Sequence, residues 1–274
     1  YRQNNLALNN IYIQPSAAPL PDVVSSHMDT VRAKRDSPGL SSDEMNQVVG
    51  HLDLLAEGCD EDDVVTFLND TIFPNSKLTR PMDLPSSALM SQHLVPSNPV
   101  SPYRVTQPEP DRLYGYSGNP NAAFTQPQLL AQATLHPKIP HHSAATSQGL
   151  RFPFFAIEFK AAGGTRGDLW VATNQCAGAS AACLNAVEQL NTSLREYSAQ
   201  SVDNLAYCIA IDNNVAQLYI SWKEGNLNYY LQRVDAFLLS SPEHFKNFRN
   251  HVRNILDWGK DGRLTRIGDA LDII

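Results

Sequence analysis

The feature that most constrains the fold is residues 151–160, Arg151-Phe152-Pro153-Phe154-Phe155-Ala156-Ile157-Glu158-Phe159-Lys160, where aromatic and branched residues predominate. This composition, next to a glycine-rich segment, predicts a strand. Because side chains alternate across a strand, one face carries Phe155, Ile157 and Phe159, and the other carries Phe154, Ala156, Glu158 and Lys160. A carboxylate and an ammonium group therefore project side by side from an otherwise apolar strand. Charges there are costly unless they are paired or bind a metal, which makes Glu158 and Lys160 candidate functional residues.

A glycine-rich bend, residues 163–167, follows this strand and precedes a long predicted helix, residues 168–197. The bend either binds an anion at the start of the helix or is a plain loop. No GK[S/T] sequence follows it, which argues against a phosphate-binding loop of that type. Small residues at 178–182 allow the helix to approach a sheet closely. Gln175 lies near the N-terminal end of the helix, where it can point toward the open end of the same strand. The apolar stripe of the helix consists of Cys176, Ala179, Cys183, Ala186, Val187, Leu190 and Leu194.

The residue composition is that of a globular protein, with 42% hydrophobic and 18% charged residues among 274, and it permits a sizeable core. No apolar run reaches the length of a membrane span, and no signal peptide is visible. The four cysteines form no CxxC pair, which argues against a zinc ribbon and favours core thiols in a reducing compartment. We therefore expect an intracellular protein, nuclear or cytoplasmic, without a membrane partner.

The N-terminal part of the chain contains a proline-rich segment and two short helices. Residues 1–40 carry four prolines and few periodic apolar positions, which predicts an extended or poorly ordered N-terminal arm. Residues 41–274 are predicted to form a single domain. It starts with a helix capped at Ser41, followed by a second helix after the acidic run 60–63, which we interpret as helix N-terminal charge. Residues 74–110 then predict a long irregular connection.

A strand is predicted to begin near Asp111, and a polar insertion, residues 117–149, separates it from the strand at 151–160. The three histidines of the insertion are spaced unlike any metal site, which argues against metal binding; they are His136, His141 and His142. After the long helix, short turns join three predicted strands, at residues 205–211, 215–222 and 227–234.

The charge distribution points to the C-terminal part of the chain as the region a polyanion would meet. The formal net charge is −7, which argues against binding nucleic acid over the whole surface. Within residues 244–266, however, six residues are basic and two are acidic. A helix is predicted from Pro242 to Trp258. Its basic stripe, at spacing i, i+3 and i+7, is either a solvated face or a phosphate-contacting surface for nucleic acid, and it consists of Lys246, Arg249 and Arg253.

Asp111 and Glu158, at neighbouring strand ends, are the residues most typical of a metal site. Two carboxylates in that arrangement can hold Mg²⁺ through oxygen ligands. Lys160, two residues after Glu158 on the same face, can orient a metal-bound water or stabilise developing negative charge on a phosphoryl group, and Gln175 can hydrogen-bond the water. Alternatively, Glu158 and Lys160 form a partly exposed ion pair, and Asp111 after Pro110 is a turn residue.

The pattern Pro110-Asp111 with Glu158-Phe159-Lys160 resembles the PD-(D/E)XK nuclease superfamily. The chain from about residue 25 is similar, more specifically, to a family of fungal proteins assigned to that superfamily. The D…ExK pattern alone is weakly specific, and the strand context with the Gln-bearing helix strengthens it. The matching stretches are residues 34–40, 110–116, 153–160, 169–176 and 254–260.

The resemblance implies an α/β fold with a restriction-endonuclease-like core, in which helices flank a central mixed sheet of about four strands. It assigns Asp111 and Glu158 as ligands of Mg²⁺ (or Mn²⁺), and Lys160 as the motif lysine. Gln175 would match the polar residue on the following helix, and Glu44 the glutamate that many relatives carry on the first helix. Asp111 and Glu158 are 47 residues apart, so the insertion must loop out of a hairpin if Asp111 is assigned correctly.

Three hypotheses for the function follow from these residues. The first is a metal-dependent nuclease that hydrolyses phosphodiester bonds of DNA or RNA, with nucleic acid as its partner. The second is a catalytically inactive module of the same fold that binds a protein or nucleic-acid partner. The third is a nuclease toxin or effector.

Overall fold

The computed structural model describes residues 1–35, 39–73, 82–83, 88–135, 144–162, 168–225 and 227–274. Its strands are β1 (Ile11–Gln14), β2 (Met82–Asp83), β3 (Arg112–Tyr116), β4 (Arg151–Phe159), β5 (Leu205–Ile211), β6 (Val215–Glu224) and β7 (Asn228–Leu238). Across these ranges they form a seven-stranded sheet in the order β1-β7-β6-β5-β4-β3-β2. β1–β7 and β4–β5 are parallel and the other neighbours are antiparallel. The α/β class with a mixed sheet is confirmed, whereas the expected number of about four strands was too small.

Helices cover both faces of the sheet. In the described ranges they are α1 (Asp22–Arg32), α2 (Ser42–Glu57), α3 (Glu61–Thr71), α4 (Gln126–Thr134), α5 (Leu169–Glu196), α6 (Pro242–Trp258) and α7 (Leu264–Leu271). None of the helices in the described part of the chain has the length and apolar character needed to cross a membrane.

The long helix α5 lies on one face of the sheet, against β4, β5 and β6. Its small residues bring it close enough for direct polar contacts with β6. The hydroxyl groups of Thr173 and Tyr219 lie 3.0 Å apart, and Ser221 donates a hydrogen bond to Ser180 at 2.8 Å. Cys208 and Tyr219 are paired across β5 and β6, so Cys208 and its β4 partner Ala156 face α5 as well. Glu158, two residues beyond Ala156, projects from this same face.

Helices α1 and α6 cover the opposite face of the sheet. The ring of Tyr207 on β5 contacts His27 of α1 and Trp258 of α6, with ring centroids 5.8 Å and 5.7 Å away. Nearer the end of β4, Phe73 packs edge-on against Phe159 and Phe248. The aromatic face predicted for the central strand is therefore buried beneath these two helices.

The N-terminal arm predicted for residues 1–40 is instead folded along residues 1–35. β1 adds to the sheet as an edge strand parallel to β7, and α1 packs against α6. Val24, Met28 and Val31 of α1 are buried, and they recur at helical spacing, which is the pattern of an amphipathic helix. Pro15, Pro19 and Pro21 precede α1 and do not interrupt it, since Pro21 occupies the residue before its first turn; Pro38 lies outside the described residues. The expectation of an extended or poorly ordered arm was therefore wrong for these residues.

The predicted insertion loops out between β3 and β4, which pair as an antiparallel hairpin. It carries α4, and Gln128 of α4 donates hydrogen bonds to the Gly268 carbonyl and the Asp272 carboxylate at the C-terminal end of the chain. The three histidines at 136, 141 and 142 and the bend 163–167 lie outside the described residues. The irregular connection predicted at 74–110 is confirmed in its described part, apart from the two-residue strand β2 and a short 3₁₀ helix at Gln92–Leu94.

Candidate active site

The β3–β4 hairpin brings Asp111 next to Glu158. Arg112 pairs with Ile157 at the end of the ladder, so the same register, continued by one residue, sets Asp111 opposite Glu158. The Phe159 amide donates a hydrogen bond to Oδ2 of Asp111 at 2.7 Å. Directly opposed residues of an antiparallel pair share a face, so the two carboxylates project from the same side of the sheet. The long insertion therefore leaves the predicted pairing of these residues intact.

Glu158 is the most deeply buried acid of this arrangement, with 1% of its surface exposed. Its Oε2 atom has no hydrogen-bond partner among the described residues. Burial raises the pKa of Glu158 well above its usual range, and the nearby Asp111 carboxylate raises it further while Lys160 lowers it. Burial also raises the pKa of Asp111, against the hydrogen bond from Phe159 and the charge of Lys160. Without a cation, this site therefore favours a protonated carboxyl group.

Lys160 lies at the end of β4, and only 5% of its surface is exposed. Its Nζ donates a hydrogen bond to the Phe159 carbonyl at 2.5 Å and lies 3.6 Å from Oε2 of Glu61. Glu61 is the first residue of α3, which is capped by the reciprocal Asp60–Asp63 box. Among the described residues Lys160 thus pairs with Glu61, and the predicted alternative of a Glu158–Lys160 ion pair is not observed.

A cleft of about 470 Å³ opens beside Glu158. One wall is the first turns of α5, where Gln175 is solvent-exposed, and the other is the segment 106–109. The walls lie close together at Gly178, where an added Cβ would come into van der Waals contact with Val105 and Pro108, at 3.4 Å and 3.7 Å. Gln175 and Glu158 therefore line the same cleft. Asp111 and Lys160 lie beside Glu158 but do not line the cleft.

Asp111 and Glu158 are the side chains of this region that could hold a divalent cation of the Mg²⁺ type. No group of three or more His, Cys, Asp and Glu side chains suited to a metal occurs within the described ranges. Mg²⁺, however, is commonly held by one or two protein carboxylates together with water and substrate phosphate oxygens. The buried, unpartnered Oε2 of Glu158 beside Asp111 is an acceptor that such a cation would satisfy.

Glu44 does not join this cluster. Its carboxylate turns back to the start of α2, where Oε2 accepts hydrogen bonds from the amide and hydroxyl of Ser41, each at 2.8 Å. The bond from the Ser41 amide lowers the pKa of Glu44. Glu44 lines a separate groove of about 590 Å³ with Arg249. The helical acid that approaches Lys160 is Glu61, so the assignment of Glu44 to the site was wrong because a capping box already engages its carboxylate.

The basic stripe of α6 also lies away from the cleft. Arg249 donates a hydrogen bond to the Thr71 carbonyl at the C-terminal end of α3, at 3.1 Å. Lys246 and Arg253 are half-buried on the same helix. Arg263, which lies in the same basic region, is 1% exposed and donates hydrogen bonds to Tyr116 and to the Phe152 carbonyl. The stripe and the cleft are thus two separate surfaces, and Arg263 belongs to neither.

Sequence reasoning missed two residues of this region, Glu61 and Trp170. Glu61 belongs to the acidic run 60–63, and whether a first-turn acid contacts solvent or a lysine depends on how its helix docks. Trp170 is the second residue of α5, where it lines the cleft with half of its surface exposed. A large aromatic residue beside a helix N-cap, outside the apolar stripe of that helix, is the sequence signal that marks Trp170.

Comparison with protein families gives one match. A family model described as "Domain of unknown function (DUF7924)" matches residues 52–271, a range that includes Glu61, Asp111, Glu158, Lys160 and Gln175. None of the curated proteins compared with the chain gives a significant match. Because the match extends over well more than half of its residues, the chain belongs to the DUF7924 family.

Proposed function

We propose that this protein is a metal-dependent nuclease that hydrolyses phosphodiester bonds of DNA or RNA. The observation that carries the proposal is the pairing of Asp111 and Glu158 across one hairpin, with a buried Glu158 oxygen that lacks a partner among the described residues. Lys160 lies two residues beyond Glu158 on the same face, and the adjoining cleft has Gln175 in its wall. Buried carboxylates with raised pKa values beside a cleft are typical of catalytic sites.

Each residue has a role that follows from its position. Asp111 and Glu158 would hold Mg²⁺ or Mn²⁺ through their carboxylate oxygens. Bound there, the cation would polarise a phosphoryl oxygen and lower the pKa of a coordinated water. Lys160 would stabilise negative charge that develops on the phosphoryl group. Glu61, 3.6 Å from the Lys160 ammonium group, would help to hold that group near the site. Gln175 is placed to hydrogen-bond the attacking water or the substrate from the cleft wall.

The experiment compares cleavage of plasmid, linear duplex and single strands by purified protein in Mg²⁺ or Mn²⁺. Glu158→Gln and Lys160→Ala should each lower the rate by about 100-fold or more. The matched control is Glu44→Gln, which neutralises a carboxylate in the separate groove and should leave the rate unchanged. Equal activity in the wild type and in both site variants would show that the activity comes from a contaminant or from another site, and would refute the proposal.

The second candidate is a catalytically inactive module of the same fold that binds a partner. It is favoured by one observation: none of the described residues that line the cleft is a lysine or an arginine. This alternative predicts no calorimetric Mg²⁺ binding, and partner binding that survives Glu158→Gln. Mg²⁺ binding by the wild type that is lost in Asp111→Ala would contradict it.

A further inference from the structure

Trp170 is exposed at the mouth of the cleft that contains Glu158. Half of its surface, 50%, is accessible, and its side chain lines the cleft together with Gln175. Burial of an aromatic side chain of this size in a complex is strongly favourable. The exposed indole beside a candidate catalytic carboxylate therefore offers a flat apolar surface to a ligand ring.

The position of Trp170 is fixed by its neighbours. Oδ1 of Asp168, the N-cap of α5, accepts hydrogen bonds from the amides of Trp170 and Val171 at 2.9 Å and 3.2 Å. The guanidinium group of Arg2 lies 4.9 Å from the indole centroid, and its Nε donates to Oδ1 of Asn174 at 2.6 Å. The helix N-cap thus fixes the backbone at Trp170, and a cation covers one side of the indole.

The remaining cleft residues suit a nucleobase better than a row of phosphates. No lysine or arginine is among the described residues that line it, so attraction to phosphate groups is not the main interaction available inside. Its polar side chains include the carboxylates Glu109 and Glu158 and the amides Gln107, Asn174 and Gln175. Gln107 Nε2 already donates to the Met90 carbonyl and Asn174 Oδ1 accepts from Arg2, so the solvent-exposed Gln175 is the amide best placed to meet a base. Amides carry both donors and acceptors and can pair with the edge of an unstacked base. Stacking on an aromatic ring is the usual way in which proteins hold single strands without reading a sequence.

We infer that the cleft binds single-stranded nucleic acid through one unpaired base stacked on the indole of Trp170. The inference rests on the proposed function and narrows it, because it assigns single strands, or the unpaired ends and loops of duplexes, as the substrate class. A base in a duplex is covered on both faces by its neighbours and cannot stack on Trp170 unless the duplex opens. The stacked base places its strand in the cleft that Glu158 borders.

The experiment first measures binding without metal. Full-length protein in EDTA is titrated with a single-stranded oligodeoxynucleotide of about 10 nucleotides, with the same strand lacking its bases, and with the matching duplex. The intact single strand should quench tryptophan fluorescence, and Trp170→Phe should abolish this quenching while keeping most of the affinity. Trp170→Ala should weaken binding by about 10-fold or more. The strand without bases should bind the wild type as weakly as the intact strand binds Trp170→Ala.

The matched control is Tyr197→Ala. Tyr197 is 53% exposed at the other end of α5, about 40 Å from Trp170 along the helix, and its removal should not change binding. Equal binding of the intact and the base-free strand, or equal affinity of wild type and Trp170→Ala, would overturn the inference. A fall in affinity as large in Trp170→Phe as in Trp170→Ala would also overturn it, since a phenyl ring preserves stacking.

A second readout separates this inference from the proposed function. Cleavage is measured in Mg²⁺ with the same single-stranded and duplex substrates. If the wild type cleaves and Trp170→Ala keeps the same preference for single strands, the inference fails and the nuclease proposal stands. If single strands quench Trp170 fluorescence but no substrate is cleaved, the nuclease proposal fails, and the cleft is a single-strand binding site.

Discussion

The Phe159 amide donates a hydrogen bond to the Asp111 carboxylate at 2.7 Å. This bond joins the residue that precedes β3 to the last residue of β4 and so fixes Asp111 beside Glu158. Because it uses Oδ2 of Asp111, the second oxygen, Oδ1, is the one that the proposed site would direct at a cation. The same side chain thus serves the hairpin and the site, and suitable substitutions should separate the two roles.

Substitution of Asp111 should separate stability from metal binding. Asp111→Asn preserves a carbonyl acceptor for the Phe159 amide and removes the charge, so we expect near-wild-type stability and loss of calorimetric Mg²⁺ binding. Asp111→Ala leaves that amide without its acceptor, which should cost about 1–3 kcal/mol of unfolding free energy. Chemical denaturation measures the difference. Equal destabilisation by Asn and Ala would show that the hydrogen bond is not what Asp111 contributes to stability.

Glu158 should make the metal-free protein less stable as pH rises. Its pKa is raised in the folded protein, chiefly by burial and then by Asp111, so the folded state binds more protons than the unfolded state at pH values above the ordinary glutamate pKa of about 4.3. Stability is therefore lost as pH rises from that value through the raised pKa. Glu158→Gln has no charge to bury and should gain stability over wild type as pH rises.

Thermal unfolding in EDTA between about pH 4 and pH 8 measures this effect of Glu158. The difference in melting temperature between Glu158→Gln and wild type should widen with pH, and Mg²⁺ should narrow it by stabilising only the wild type. Melting curves that stay parallel across the pH range would contradict the assignment of a buried, readily protonated carboxyl to Glu158.

Glu61 should support activity through Lys160. Glu61→Gln removes the carboxylate 3.6 Å from the Lys160 ammonium group, and we expect a stability loss of about 1–2 kcal/mol, reduced from that of a fully buried pair because Glu61 is partly exposed. Any cleavage rate should fall by about 10-fold, since the ammonium group is less well positioned. Asp62→Asn, the exposed next residue of the same helix turn, is the control. If both variants behave alike, Glu61 acts only as helix N-terminal charge.

A side chain at Gly259 should lower the stability of the fold. A Cβ there would lie 2.2 Å from Cζ of Phe154, so Gly259→Ala must displace a buried ring and should cost about 1–3 kcal/mol or more. Gly262 lies in the same turn, a π-helical segment between α6 and α7, and a Cβ added to it would meet no packed neighbour within 4 Å in the described part of the chain. Gly262→Ala should therefore be close to neutral. Denaturation midpoints of the two variants measure the contrast, and equal midpoints would contradict it.

The elements with strong local patterns were predicted well from sequence. The helix predicted from Pro242 to Trp258 has those bounds in the structure, because its proline, its serine cap and its apolar spacing agree. The strand expected at residues 151–160 is observed at Arg151–Phe159. β1, by contrast, has only four residues, and its place in the sheet depends on β7, which is more than 200 residues away. Local patterns do not contain such information.

The candidate site was predicted in part for a similar reason. Glu158 lies on β4, and Asp111 and Lys160 flank the ends of β3 and β4, which pair directly, so the hairpin brings the three residues together. The choice between Glu44 and Glu61 depends on the docking of two helices that both begin with acids and capping boxes. Capping ties the Glu44 carboxylate to its own helix start, whereas Glu61, one residue after the cap Asp60, is left to reach Lys160. That difference appears only in three dimensions.

The parallel pairing of β1 with β7 bears on how the protein should be truncated for expression. A fragment cut to the family boundaries, 52–271, would lack both β1 and α1. It would uncover the border of β7 along Tyr229–Gln232, the four residues that pair with β1, and an open sheet edge invites aggregation by strand addition. We therefore expect a fragment that retains the first 35 residues to be more soluble than one cut to residues 52–271.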